Sequence, residues 1–311
     1  MMQENKIKVA CFGELLWDIF PGDKRRIGGA PFNVAYHLFK MGIDATMISA
    51  IGSDDLGLEV LNQLKAWNMS TEGLQIHESY PTSTVVAHMD ENNDAHYDIV
   101  ENVAWDFIEK TIANQTIVHE VDALVFGTLS TRNEVSRYTL FDFLERSNYN
   151  VFDINLREPF YQVNTIKDLL YKTDLAKFNK AELRMMLDFM GKSYSSEKDS
   201  INYLQDTFDL REVIISKGSK GALYAREDNF YLYPTVPVAI KDTVGSGDSF
   251  LAGFLSKRLE KDATAEQTMR RAVTLGAFVT AKEGACPEYS LNEFVDFHDQ
   301  HAVAPLDFTD N

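Results

Sequence analysis

This chain is poorest in cysteine, in positive charge and in long apolar runs. Its 311 residues hold two cysteines, Cys11 and Cys286, far apart and with no neighbour at metal-ligand spacing. A disulfide framework and a cysteine-held zinc site are thereby excluded, and both thiols are expected to be reduced and buried. Lysine and arginine total 30 against 47 aspartates and glutamates, a formal net charge of −17. That balance argues against a nucleic-acid partner, whose phosphates need clustered cations, and against docking on an anionic membrane. Small anionic ligands stay open, because helix N-termini bind phosphate whatever the global charge. No apolar run approaches the roughly 18 residues of a membrane helix. The opening MMQENKIK lacks the apolar centre of a signal peptide, so the expected compartment is the cytoplasm. His298 and His301 stand three apart, a spacing that suits a helix surface more often than a metal site. There is no linker, no low-complexity tract and no repeat, since Trp17-Asp18 and Trp105-Asp106 do not recur at a blade period.

What is present is an ordinary globular composition, 45% hydrophobic and 25% charged, on a chain long enough for one large α/β domain over 1–311. Ile7 to Gly13 and Thr46 to Ile51 read as buried strands, with a helix between them that starts near Pro31 and stops at Gly42. Short apolar runs at 123–126, 151–154, 175–178 and 213–215 alternate with helical stretches, which implies a mostly parallel sheet with helices on both faces. Residues 83–89 and 95–101, joined by the polar turn 90–94, read as a hairpin. With the segment near 15–28, which includes the turn Pro21-Gly22-Asp23, this hairpin is expected to form a small β lid. Residues 221–226 and 230–233 suggest a further hairpin, and the last third is helical at 249–259, 264–282 and 291–298.

The sharpest chemistry lies in Asp242-Thr243-Val244-Gly245-Ser246-Gly247-Asp248, which opens a helix. Two glycines around a serine at a helix start leave backbone N–H groups aimed outward, with the positive helix end behind them. Such a turn binds an anion. A carboxylate beside it needs a task, and taking a proton from an attacking hydroxyl is one. A tight turn with a capping aspartate would give the same spacing.

This segment resembles the D-T-x-G-[AS]-G-D signature of the ribokinase-like, or PfkB-type, carbohydrate kinases. Gly28-Gly29-Ala30-Pro31-Phe32-Asn33-Val34-Ala35 is similar to that family's N-terminal signature, and smaller marks between the two extend the resemblance over nearly the whole chain. The resemblance implies a ribokinase-like fold and phosphoryl transfer from MgATP to a sugar. Asp248 would be the base, and Gly245, Ser246 and Gly247 the anion turn. Asp18, Gly28, Gly29, Asn33 and Arg157 would hold the sugar. Arg157 comes from Asp153-Ile154-Asn155-Leu156-Arg157, an element of the fructokinase-like members. Asn179 and Glu182 match the N-x-x-E element that organises Mg²⁺ through water, a spacing that is also a helix-capping box. Ser216, Gly218 and Gly221 match the element bordering the nucleotide, with Ser216 in place of the common threonine; Lys217 and Lys220 are the basic residues nearest to it. The resemblance also implies a monovalent cation, K⁺, at Asp242, Val244, Val279 and Gly284, although Glu288 stands where relatives often carry a small residue. It further implies a homodimer through the lid. Fructose phosphorylated at the 6-hydroxyl is the favoured substrate, with ribose and 2-keto-3-deoxygluconate as competitors.

Two other classes of function are open on the sequence. One is a catalytically silent sugar- or nucleotide-binding regulator, against which the intact Asp248 speaks. The other is a dinucleotide-dependent dehydrogenase, whose glycine motif belongs after the first strand and not late in the chain.

Overall fold

Residues 6–20, 22, 24–89 and 95–308 are described in a computed structural model; the turn at 90–94, Pro21 and Asp23 lie outside them. The first strand, β1 (Lys8–Phe12), is followed by β2 (Leu16–Phe20), β3 (Lys24–Gly28), α1 (Ala30–Lys40), β4 (Asp44–Gly52), α2 (Asp55–Trp67) and β5 (Leu74–His77). Next come β6 (Ser83–Met89), β7 (Ala95–Ile99), α3 (Ile112–Glu120), β8 (Ala123–Gly127), α4 (Glu134–Leu144), β9 (Asn150–Asp153), α5 (Val163–Leu170) and β10 (Leu175–Asn179). The chain ends with α6 (Lys180–Phe189), α7 (Glu197–Phe208), β11 (Glu212–Ser216), β12 (Ala222–Arg226), β13 (Asn229–Tyr233), α8 (Ser246–Arg258), α9 (Ala265–Thr280) and α10 (Leu291–Gln300).

Nine strands form one sheet in the order β13-β12-β11-β10-β9-β8-β1-β4-β5. The pairs from β11 through to β5 are parallel, and β12 and β13 add an antiparallel edge. Its strands are apolar on both faces because helices cover both. In β1, Val9 and Cys11 enter one core with residues of α1, α2, α8, α9 and α10, whereas Ala10 and Phe12 enter the other with residues of α3 to α7. Each large side chain so buried contributes about 1.5–3 kcal/mol. The expected ribokinase-like arrangement is the one found, with β5 as a strand that the apolar pattern does not reveal.

The chain leaves β1 toward β4 and β5 on one side and returns through β8 to β11 on the other. Ligands of open α/β sheets bind outside the carboxyl ends of strands beside such a reversal. A second sheet, β3-β2-β6-β7, joins the segments at 16–28 and 83–99; β2 pairs antiparallel with β3 and parallel with β6, and β6 with β7 antiparallel. No helix among the described residues is long and apolar enough to cross a membrane.

Candidate active site

A cavity of about 600 Å³ lies between the small sheet and the carboxyl ends of the central strands. Its lining follows the topology: Glu14 after β1, Asp153 and Arg157 at and after β9, Asn179 and Ser216 at the ends of β10 and β11. The small sheet adds Asp18 and Val85, and the head of α8 adds Gly245, Gly247 and Asp248.

Gly245 caps α8 in the left-handed region, φ 74°, and a Cβ there would lie 2.7 Å from that of Ala285, so glycine is required twice over. The N–H groups of Gly245 and Gly247 have no acceptor among the described residues, whereas Ser246 N–H turns back to the Thr243 carbonyl at 3.3 Å. Only two of the three N–H groups expected to face an anion are therefore free. The helix begins at Ser246, three residues earlier than the apolar pattern indicates, and this places Asp248 inside the first turn.

Asp248 Oδ2 accepts a hydrogen bond from Asn33 Nδ2 at 2.8 Å, and Asn33 Oδ1 accepts from the Cys286 thiol at 3.2 Å. Burial and the nearby Asp153 carboxylate push the Asp248 pKa up to about 6, against the opposing pull of Asn33, Lys177 and Arg157. Cys11 is buried as expected, whereas Cys286 is partly exposed as a residue, with burial still holding its thiol well above the usual range. Beneath the turn, Lys177 Nζ donates to both oxygens of Asp153, at 2.8 and 2.7 Å, and both side chains are buried. Burial also raises Asp18 to about 6 and Glu14 to about 7.

A sequence profile described as pfkB family carbohydrate kinase matches residues 11–290. The chain belongs to the pfkB family of carbohydrate kinases. It is 26% identical over 304 residues to the fructokinase of Salmonella typhimurium, covering 89% of this chain and 94% of that protein. With fructokinase-2 of Solanum lycopersicum it shares 24% over 306 residues, covering 90% and 92%. The fold superposes on the fructokinase of Xylella fastidiosa with bound ATP at a TM-score of 0.84, with 18% identity and coverage of 94% and 98%. The fructokinase of Vibrio cholerae O395 with fructose, ADP and calcium ion bound superposes at 0.79, with 23% identity and the same coverage.

The residues that the pfkB signatures single out do not all meet. Asp18, Gly29, Asn33, Arg157, Asn179, Glu182, Ser216, Val244, Gly245, Gly247 and Asp248 line the cavity. Gly28 lies beneath Asp18: a Cβ there would come within 2.2 Å of Oδ2. Gly218 and Gly221 shape the turn after β11 behind Ser216, whose hydroxyl donates to the Phe178 carbonyl at 3.3 Å. Arg157 is exposed, donates to the Leu156 carbonyl at 3.0 Å, and has no ion pair among the described residues. Lys217 is bound to Glu197 at 2.6 Å and so is not free for phosphate.

Around the implied cation, Asp242 Oδ1 accepts from Val244 N–H and Oδ2 from Gly284 N–H, each at 3.0 Å. The Val279 carbonyl accepts from Lys282 N–H at 2.8 Å. Asp242 thus clasps the turn to the 284 segment directly. Glu288 is elsewhere, on the surface with Trp67 and with Lys40 at 3.2 Å. Motif reading passed over Lys177 and Glu14. A lysine inside a buried strand is a signal in itself, because a buried cation must be paired.

Proposed function

We propose that this carbohydrate kinase transfers the γ-phosphoryl group of ATP to fructose at the 6-hydroxyl, with Asp248 as general base. The observation that carries the proposal is the position of Asp248, in the first turn of α8 beside two free N–H groups and in the cavity that Asp18 also lines. Its pKa of about 6 leaves it mostly ionised at neutral pH and basic enough to take a hydroxyl proton. Asn33 holds the carboxylate in one orientation through the 2.8 Å bond. The N–H groups of Gly245 and Gly247, with the α8 dipole behind them, would stabilise charge on the transferring phosphoryl group.

The acceptor half carries Glu14, Asp18, Asn33 and Asp248, with Arg157 as its one unpaired cation among the described residues. Carboxylates accept hydrogen bonds from hydroxyls and repel anions, which favours a neutral sugar such as fructose or ribose over a sugar acid. Asp18, Gly29, Asn33 and Arg157 are the sugar-positioning set in this reading. Asn179, Glu182 and Ser216 lie on the nucleotide side, and Gly218 and Gly221 shape the turn behind them.

Mg²⁺ fits here only through water. Both Glu182 oxygens already accept backbone N–H groups, from Leu156 at 3.1 Å and Asn179 at 2.8 Å. No cluster of three or more ligating side chains occurs among the described residues. Glu182 retains lone pairs for a hydrated ion that arrives with the phosphates. The small sheet, placed over the acceptor half, acts as a lid that keeps water from the γ-phosphate.

The test is ADP release with MgATP against fructose, ribose, 2-keto-3-deoxygluconate, adenosine and fructose 6-phosphate. Turnover on fructose well above the rest is expected. Preference for 2-keto-3-deoxygluconate would overturn the neutral-sugar argument, and absence of turnover on every sugar would overturn the assignment of Asp248.

A further inference from the structure

Glu14 is a buried acid to which no signature assigns a role. It follows β1 and Gly13, is 3% exposed, and lines the cavity. Its Oε2 is enclosed and has no hydrogen-bond partner among the described residues. The side chain is packed tightly, since a Cβ on Gly29 would lie 3.2 Å from its Cγ. Buried polar atoms are nearly always paired, and one left alone calls for an explanation.

No side chain of the site donates to Oε2, and the backbone N–H groups of Glu14 and Ala30 that face the carboxyl leave this oxygen unpaired. Lys177 gives its charge to both oxygens of Asp153, Arg157 is turned to the Leu156 carbonyl, and the Asn33 amide donates to Asp248. The remaining neighbours in this half, Asp18 and Asp248, are acceptors when ionised. The missing partner is therefore a donor carried by the ligand. A polyol hydroxyl is such a donor; a sugar carboxylate or a phosphate is not. Burial, reinforced by Asp248, raises Glu14 to about 7 against the pull of its own N–H, of Arg157 and of the Ala30 N–H at the head of α1, and a hydroxyl, which both donates and accepts, suits the carboxyl in either protonation state.

We propose that Glu14 is a sugar-binding, specificity-determining residue whose Oε2 accepts the O–H of one hydroxyl of the acceptor sugar. This rests on the sugar-kinase reading of the site and adds a contact to it. Glu14, in the loop between β1 and β2, and Asp18, within β2, then hold the same sugar. A hydroxyl so held is recognised strongly, because a deoxy analogue would leave Oε2 unpaired again.

The test is a cycle between protein and sugar. Wild type, Glu14→Ala and Glu14→Gln are compared on fructose and its single-deoxy analogues, in kcat/KM and in sugar affinity by calorimetry. In the wild type, removal of one particular hydroxyl should cost roughly 10- to 100-fold, the range for a hydrogen bond to a charged group. In Glu14→Ala that penalty should vanish for this hydroxyl alone, with the KM for ATP unchanged and Glu14→Gln intermediate. Equal penalties in all three proteins, with ATP still bound, would overturn the proposal and leave Glu14 as a brace for α1. If Glu14→Ala does not fold, Glu14→Gln decides by the same comparison. A wild type that neither binds nor phosphorylates any sugar would overturn the reading of the site, and this proposal with it. A wild type that turns sugars over without coupling to Glu14 would overturn this proposal alone.

Discussion

Asp248 and Lys177 show how far single residues could be read from the sequence. Asp248 stands in a spacing that names its helix position, but its basicity comes from groups distant in sequence. Asp153 and burial raise it, and Asn33, 215 residues away, orients it. Asp248→Asn is expected to lower turnover by ~10²–10⁴, the scale of a lost general base, with sugar and nucleotide affinities within a few-fold of wild type. For the same reason kcat/KM in the wild type should rise with pH through about 6 to 7, as Asp248, together with the sugar-binding Asp18 and Glu14, gives up its proton. A profile flat from pH 5 to 8 would contradict this. Lys177 is the reverse case: the run 175–178 reads as apolar, and only the fold shows its amine between Asp153 and the cavity. Lys177→Met should destabilise the protein by about 3–5 kcal/mol in urea unfolding, because it strands a buried carboxylate. Adding Asp153→Asn should recover much of that loss.

Among the elements, the head of α8 joins packing to chemistry. Its N-cap is Gly245 because the backbone there is left-handed and Ala285 is in contact. Gly245→Ala is expected to destabilise by about 1–3 kcal/mol and to lower turnover at unchanged sugar affinity, measured by thermal unfolding beside ADP release. A variant as stable and as fast as wild type would show that the turn tolerates a side chain. The cap of α6 was legible in full: Asn179 and Glu182 form a reciprocal capping box at 2.9 and 2.8 Å. The structural role thus falls on the pair to which the proposed function gives the nucleotide side. The return of Ser246 N–H to Thr243 was not legible, since a glycine motif gives the flexibility of a turn and not its hydrogen bonds.

At the scale of the molecule, the two sheets meet over the cavity, and the smaller should respond to ligand. Hydrogen exchange in β2, β3 and β6 is expected to slow by about tenfold or more when sugar and a non-hydrolysable ATP analogue bind, while β1, β8 and β9 stay protected throughout. No change in the small sheet would refute its action as a lid. The cavity also costs stability. Glu14, Asp18 and Asp248 hold their protons to about 7, 6 and 6 in the fold, against usual values of 4.5, 3.8 and 3.8. Between about pH 4 and 7 the folded state binds more protons than the unfolded, so their contribution is full below about pH 4 and is lost as pH rises. The triple variant Glu14→Gln, Asp18→Asn, Asp248→Asn should match wild type near pH 4 in urea unfolding and exceed it at pH 8. A gap independent of pH would contradict this linkage.

The sequence by itself determined the strand and helix alternation, the two signatures and the glycine turn that opens α8. Periodicity and turn chemistry are local, and a signature is a string. Tertiary structure alone decided that Lys177 neutralises Asp153, that Asp242 clasps the turn to Gly284, and that Glu14 ends in a buried, unpaired oxygen. Each of these depends on which groups meet across the carboxyl ends of the sheet, and pairings between residues far apart in the chain leave no pattern in the order of the residues.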